Sequence, residues 1–113
     1  MHTFNMNKQQ NVYFIGIGGI SMSGLAGILL NAHFTVSGSD RAPSPLTQKL
    51  EDEGATVFYG QKASNITQNI QLVVYSAAIK EDNPEYAQAK SLDIPMLTRA
   101  QLLGQIMKNY KSV

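Results

Sequence analysis

The most constraining feature of the 113-residue chain is the segment 12–24, which reads VYFIGIGGISMSG. A short apolar run gives way to glycines and then to small residues, a pattern that predicts a strand, a tight turn and a helix N-terminus. Glycines let backbone amides approach a ligand closely, and the positive end of the following helix then faces that ligand. The segment therefore predicts a phosphate-binding turn, although Ser21 stands where the dinucleotide pattern G-x-G-x-x-G has its third glycine.

Strand-like and helix-like segments alternate along the rest of the chain. We predict strands over residues 12–17, 34–37, 56–59, 72–76 and 95–97, and helices over 21–31, 46–53, 84–91 and from 98 onward. Residues 61–69 are polar and ambiguous between a loop and one helical turn. Because no hairpin signal interrupts the alternation, we expect an α/β fold: a Rossmann-like, doubly wound parallel sheet of about five strands with helices on both faces.

Local signals support several of these helices. Asn83 and Pro84 suit the cap and the first position of one helix, and Thr98-x-x-Gln101 is a capping box for the last. Small residues in the first helix, Gly24 and Gly27 among them, are expected to let it lie close to the sheet. The last helix is expected to bury a stripe formed by Leu102, Leu103, Ile106, Met107 and Tyr110.

Composition narrows the class of protein. With 43% hydrophobic and 15% charged residues, the chain suits one soluble domain, which we place at residues 12–113 after a polar, flexible N-terminus at 1–11. The net charge of +1 gives no reason to expect a nucleic acid or a membrane as partner. The absence of cysteine excludes disulfides and thiolate metal sites, and no apolar run reaches the length of a membrane span. We expect a cytoplasmic protein.

Candidate ligand contacts follow the strand ends, since ligands of such sheets bind beyond the carboxyl ends of the strands. Asp40 follows the second strand, where its carboxylate suits ribose hydroxyls or a pyrimidine N–H; the alternative is a turn-forming aspartate. Ser23 lies where its hydroxyl can reach a phosphate. The small side chains of 76–78 suit either a nucleoside surface or a plain loop. No paired carboxylates, nucleophile or metal-ligand spacing stands out, so no catalytic or metal-binding residue is predicted.

Four blocks of the sequence carry a recognisable pattern: GIGGISMSGLA at 16–26, VSGSD at 36–40, SAAIKEDNPE at 76–85 and PMLTRAQLL at 95–103. Taken together, the blocks resemble the N-terminal domain of the Mur ligases, the ligases that build the peptide of peptidoglycan. They stand in the family's order, and the resemblance extends from about Val12 to the C-terminus. It is strongest to the members that add L-alanine to UDP-N-acetylmuramate.

The resemblance implies a set of residues that bind the UDP part of UDP-N-acetylmuramate. The pyrophosphate is expected on the turn and first helix, the uridine at the end of the second strand, and the pocket wall after the fourth. These positions are Gly18, Gly19, Ile20, Ser21, Met22 and Ser23, then Ser39 and Asp40, then Ser76, Ala77 and Ala78. The chain departs from the family at Ser21, usually glycine, and at Gln61, usually histidine.

The resemblance also implies a longer enzyme. The family continues into a central ATPase domain and a C-terminal domain, which act in cis with ATP and magnesium, so this chain by itself is expected to be inactive and to hold no cofactor. Two alternatives remain open: an NAD(P)-binding domain with a regulatory or dehydrogenase role, and a flavodoxin-like interaction domain that binds no ligand. The spacing of Asp40 favours the NAD(P) alternative, whereas Ser21 and the Gly18-Gly19 pair do not.

Overall fold

The computed structural model describes residues 10–109, which form a five-stranded sheet with four α-helices and one 3-10 turn. The strands are β1 Asn11–Ile15, β2 Thr35–Asp40, β3 Thr56–Tyr59, β4 Leu72–Tyr75 and β5 Met96–Thr98. The helices are α1 Ile20–Asn31, α2 Pro45–Asp52, α3 Pro84–Ser91 and α4 Arg99–Asn109, with the 3-10 turn at Ala63–Asn65. Nine residues of the predicted flexible N-terminus lie outside the described residues, and Asn11, assigned to it, begins β1.

All of the strand pairs are parallel, and the strand order is β3-β2-β1-β4-β5. β1 lies at the centre, where Phe14 pairs with Gly38 on one side and Val74 on the other. Because the chain moves outward from β1 in both directions, the order reverses between β1 and β4, where such sheets open a ligand crevice. The predicted doubly wound parallel sheet is confirmed.

The two faces of the sheet carry separate cores, because successive side chains of a strand point to opposite sides. Val12 and Phe14 of β1 belong to a core that α1, α2 and α4 cover. Tyr13 and Ile15 point the other way, into a smaller core that includes Ala89 of α3. Helices therefore cover both faces, as expected. Successive residues of the central strand point alternately into one core and the other.

Local capping explains where the helices begin. Asn83 Oδ1 accepts the amides of Glu85 and Tyr86 at 2.9 and 3.2 Å. At α4, Thr98 N–H donates to the side-chain oxygen of Gln101, and Gln101 N–H returns a bond to Thr98 Oγ1. Both caps match the sequence signals, because each needs only residues two or three positions apart.

The predicted apolar stripe of α4 was wrong at two positions. Leu102 and Ile106 are buried, whereas Leu103 is 39% exposed and Met107 is 64% exposed; Tyr110 lies outside the described residues. Consecutive residues point about 100° apart around a helix, so only the line through Leu102 and Ile106 faces the sheet. The buried face is narrower than the run of apolar residues indicates.

The glycines of α1 also differ from expectation. A Cβ added at Gly24 or Gly27 would meet no atom within 4 Å, so neither glycine mediates close packing on the sheet. The close approach occurs at Gly38 of β2 instead, where an added Cβ would lie 2.5 Å from the Phe14 carbonyl oxygen and 2.7 Å from Ile17 Cβ. Gly38 is needed because the turn after β1 folds back over β2 at this point.

Candidate functional site

The glycine turn between β1 and α1 is anchored to the end of β2. Gly16 adopts a φ of 81°, which ends β1 earlier than predicted and which other residues rarely tolerate. The amides of Gly16 and Ile17 both donate to the carbonyl oxygen of Ser39, at 2.9 and 2.8 Å. Gly19 N–H then closes the turn on the Gly16 carbonyl at 3.2 Å. The conformation of the turn thus depends on the end of the next strand, β2.

The N-terminus of α1 carries no side-chain cap. Gly19 occupies the cap position with no hydrogen bond from a side chain, and no acidic residue lies in the first turn. The first helical bond runs from Ser23 N–H to the Gly19 carbonyl at 2.7 Å. The amides of Ile20, Ser21 and Met22 precede it and have no acceptor within the helix. These three N–H groups can donate to an anion, whose charge the positive end of the helix dipole would stabilise.

Asp40 lies directly against the turn. Its Oδ2 accepts the N–H of Gly18 at 2.7 Å, and its Oδ1 accepts the N–H of Arg41 at the same distance. The Gly18 amide, predicted to meet pyrophosphate, is therefore paired with a carboxylate in this structure. Each carboxylate oxygen has a further lone pair, so contact between Asp40 and a uridine stays a prediction.

The side chains of the other predicted contacts are not equally placed. Ser39 is fully buried, and its hydroxyl donates to Glu85 Oε1 at 2.6 Å. Met22 is buried in the core, so its backbone amide is the part that faces the turn. Ser23 donates its hydroxyl to the Ile20 carbonyl at 3.0 Å. Ligand contacts by these side chains stay predictions. The first amides of α1 lie directly after the glycine turn, as the sequence pattern predicted.

The segment 76–78 follows β4, which neighbours β1 in the sheet. A turn closed by Ile79 N–H on the Ser76 carbonyl, at 3.0 Å, leaves Ala77 and Ala78 exposed. The carboxyl ends of β1, β2 and β4 therefore bring the three predicted groups of residues to the same edge of the sheet. Two open grooves, of about 470 and 310 Å³, instead follow the outer side of α1 and share the exposed Ile20.

A buried polar cluster beneath this edge was missed by sequence reasoning. Glu85 of α3 is fully buried and accepts the hydroxyl of Tyr13 at 2.7 Å. Burial, and then the bond to the Glu85 carboxylate, raise the pKa of the Tyr13 hydroxyl well above its usual value. The one available signal was a glutamate in the first turn of a capped helix, which by itself does not indicate burial.

Comparison with known proteins identifies the family of this chain. The model of the Mur ligase family, catalytic domain, matches residues 11–111. The chain belongs to the Mur ligase family. It is 60% identical over 97% of its length to a UDP-N-acetylmuramate–L-alanine ligase from Agathobacter rectalis, and 62% identical over 92% to the ligase of that name from Acetivibrio thermocellus.

A solved structure supports the assignment of this Mur ligase domain. The UDP-N-acetylmuramate–alanine ligase of Thermotoga maritima superimposes with a TM-score of 0.86 at 29% identity, over 91% of this chain and 24% of the other. The chain also covers only 24% and 22% of the two curated relatives, so it spans about a quarter of their length. Among the described residues, no helix is long and apolar enough to cross a membrane.

Proposed function

We propose that this Mur ligase domain binds the uridine diphosphate part of UDP-N-acetylmuramate. The observation that carries the proposal is the uncapped N-terminus of α1, placed directly after the glycine turn at the switch point of the sheet. A diphosphate would accept the amides of Ile20, Ser21 and Met22, and the helix dipole would stabilise its charge. Gly18, Gly19 and Ser23 would complete the pyrophosphate contacts by exchanging their present acceptors, which are Asp40, the Gly16 carbonyl and the Ile20 carbonyl, for phosphate oxygens.

The remaining groups at the edge would hold the nucleoside. Asp40 suits the N–H of the uracil ring or the ribose hydroxyls. Ser39, whose hydroxyl is buried against Glu85, would contribute by fixing this strand end. Ser76, Ala77 and Ala78 would form a flat wall beside the base, because their side chains are small. A carboxylate acceptor discriminates against bases that offer no matching donor, which accounts for a uridine preference.

In the longer protein, we propose, this domain presents UDP-N-acetylmuramate for ATP-dependent ligation of L-alanine in peptidoglycan synthesis. Phosphoryl transfer relies on a phosphate-loop lysine and on magnesium held by acidic groups. The glycine turn at 16–19 contains no lysine, and between residues 10 and 109 no three acidic or histidine side chains cluster for a metal. These residues do not fit ATP and magnesium, which we assign to further domains in cis. ATP and UDP-sugars are cytoplasmic metabolites, so we place the protein in the cytoplasm.

The NAD(P) alternative is not favoured. The curated relatives with 60% and 62% sequence identity to this chain are named UDP-N-acetylmuramate–L-alanine ligases. The spacing of Asp40 remains compatible with a ribose contact in either nucleotide. Competition between the two ligand classes therefore separates the alternatives.

The first test is calorimetric titration of the chain with UDP, UDP-N-acetylmuramate, uridine and NAD. We expect UDP and UDP-N-acetylmuramate to bind more tightly than NAD. Among the three uridine compounds, uridine should bind most weakly because it lacks the diphosphate. Tighter binding of NAD would contradict the proposal.

The second test removes one amide without disturbing the helix. Ile20 is 87% exposed at the first position of α1, where proline is tolerated, and Gly19 has the extended ψ of 153° that a residue before proline prefers. Ile20→Pro should weaken UDP by about 1.5–3 kcal/mol, the value of a hydrogen bond to a charged group. Ile20→Ala is the matched control, since it truncates the same side chain but keeps the N–H. Equal binding by the two variants would exclude this amide from the site.

A further inference from the structure

Glu85 stands out as a charged side chain that the proposed ligand does not touch. It is fully buried in the first turn of α3, between that helix and the sheet. Glutamate is almost never fully buried unless its oxygens have partners, because removing a carboxylate from water is costly. The contacts of Glu85 therefore indicate what it holds.

Hydrogen-bond donors surround the carboxylate. Oε1 accepts the hydroxyl of Ser39 at 2.6 Å, and Oε2 accepts the hydroxyl of Tyr13 at 2.7 Å, the side-chain amide of Asn65 at 2.8 Å and the backbone N–H of Lys62 at 3.3 Å. All four groups donate, as a carboxylate requires. They come from β1, from β2 and from the connection after β3, so one side chain of α3 joins three separate parts of the strand-end edge.

Ser39 connects this cluster to the glycine turn. Its hydroxyl donates to Glu85, while its carbonyl oxygen accepts the amides of Gly16 and Ile17. The next residue, Asp40, accepts the amide of Gly18. The end of β2 therefore holds the turn through three backbone amides, and Glu85 holds the end of β2 from the opposite face of the sheet.

We propose that Glu85 is a positioning residue for the diphosphate site. By fixing Ser39, it keeps the glycine turn in the conformation that directs the first amides of α1 toward the ligand. This role rests on the proposed function, since it assumes that those amides bind a diphosphate. Glu85 itself lies beneath the sheet and makes no ligand contact.

The variants that test this role remove the hydrogen bonds to the two oxygens of Glu85 separately. Glu85→Gln keeps the shape but replaces the charge-assisted bond from the Ser39 hydroxyl with a weaker neutral one, because an NH₂ group can only donate to that hydroxyl. Ser39→Ala removes only the link to β2. Tyr13→Phe removes a bond to the other oxygen and is the matched comparison. Glu53→Gln removes the same charge at an exposed site at the end of α2 and controls for charge.

Amide hydrogen exchange reports on the turn without any ligand. We expect Glu85→Gln and Ser39→Ala to accelerate exchange at Gly16 and Ile17 by about tenfold relative to Val73, whose amide bonds Pro95 across β4 and β5. Tyr13→Phe and Glu53→Gln should leave that ratio unchanged. Equal acceleration at Val73 would show that Glu85 only stabilises the whole fold, and no acceleration at the turn would also overturn the proposal.

Ligand binding supplies the second readout. Glu85→Gln should lower the affinity for UDP by about tenfold and that for uridine by clearly less, because uridine contacts only the end of β2 whereas UDP also needs the turn. Equal losses for both ligands, or no loss, would overturn the role of Glu85. If the unmodified chain binds no UDP, the proposed function fails, and the exchange ratio still decides whether Glu85 positions the turn.

Discussion

The carboxylate of Asp40 accepts the amide N–H of Gly18 at 2.7 Å, which joins the end of β2 to the centre of the glycine turn. An anionic group thus already occupies one of the amides expected to meet a phosphate. The pairing has a steric consequence, because a Cβ added at Gly18 would overlap Asp40 Oδ2 and lie 2.9 Å from Thr47 Cγ2. Gly18 is constrained by its neighbours and not by its φ, since the positive φ of the turn belongs to Gly16.

Gly18→Ala should therefore destabilise the fold as well as weaken UDP. Forcing a methyl group into this contact costs about 1–3 kcal/mol of unfolding free energy, measurable by urea denaturation. Adding Asp40→Ala to Gly18→Ala should restore part of that loss, because one of the two overlapping groups is removed. A Gly18→Ala variant as stable as the parent would contradict the geometry of the turn.

Asp40→Ala should weaken UDP binding by about 1–3 kcal/mol, since it removes both the proposed ligand partner and the acceptor of the Gly18 amide. Asp40→Asn should retain more affinity, because its amide oxygen can still accept the Gly18 N–H. Titration of both variants with UDP, beside the exposed control Asp52→Ala, gives the comparison. Parent-like binding by Asp40→Ala would leave Asp40 with the structural role of holding the turn.

Gly24→Ala and Gly27→Ala should each stabilise the protein by about 0.5–1 kcal/mol, because alanine loses less backbone entropy in a helix interior. The added Cβ meets nothing within 4 Å at either position. Gly54→Ala is the opposite case, since Gly54 has a φ of 113° that alanine rarely adopts. Urea denaturation should rank the two helix variants above the parent and Gly54→Ala below it.

The stability of the protein should fall above pH 10 in a way that depends on Tyr13. Because burial raises the pKa of Tyr13 above the value of 10.0 for an exposed tyrosine, the unfolded chain loses this proton first. The contribution of Tyr13 to the free energy of unfolding is fully present below pH 10. It declines by about 1.4 kcal/mol per pH unit as the pH rises toward the pKa of the folded state. Unfolding free energies measured between pH 9 and 11 should decline less steeply in Tyr13→Phe. Parallel slopes would show that Tyr13 ionises alike in both states.

Several features of this protein follow from local sequence alone. The alternation of strands and helices, the caps at Asn83 and Thr98, and the glycine turn leading into α1 all match the structure. Each is signalled by residues within a few positions of one another, so the local sequence is enough to indicate it. The parallel sheet also follows, since the absence of hairpins leaves crossover connections as the means of joining the strands.

Tertiary structure decided the rest. Nothing near Glu85 in the chain indicates that its carboxylate meets Tyr13 and Ser39, which lie 72 and 46 positions away, or that Asp40 pairs with Gly18. Likewise, Leu103 and Met107 are as apolar as their buried neighbours, but α4 turns only one narrow line of residues toward the sheet. Partners distant in sequence are chosen by the strand order and the way the helices pack on the sheet. Sequence therefore determined which backbone amides could bind an anion, and the fold decided which side chains hold those amides in place.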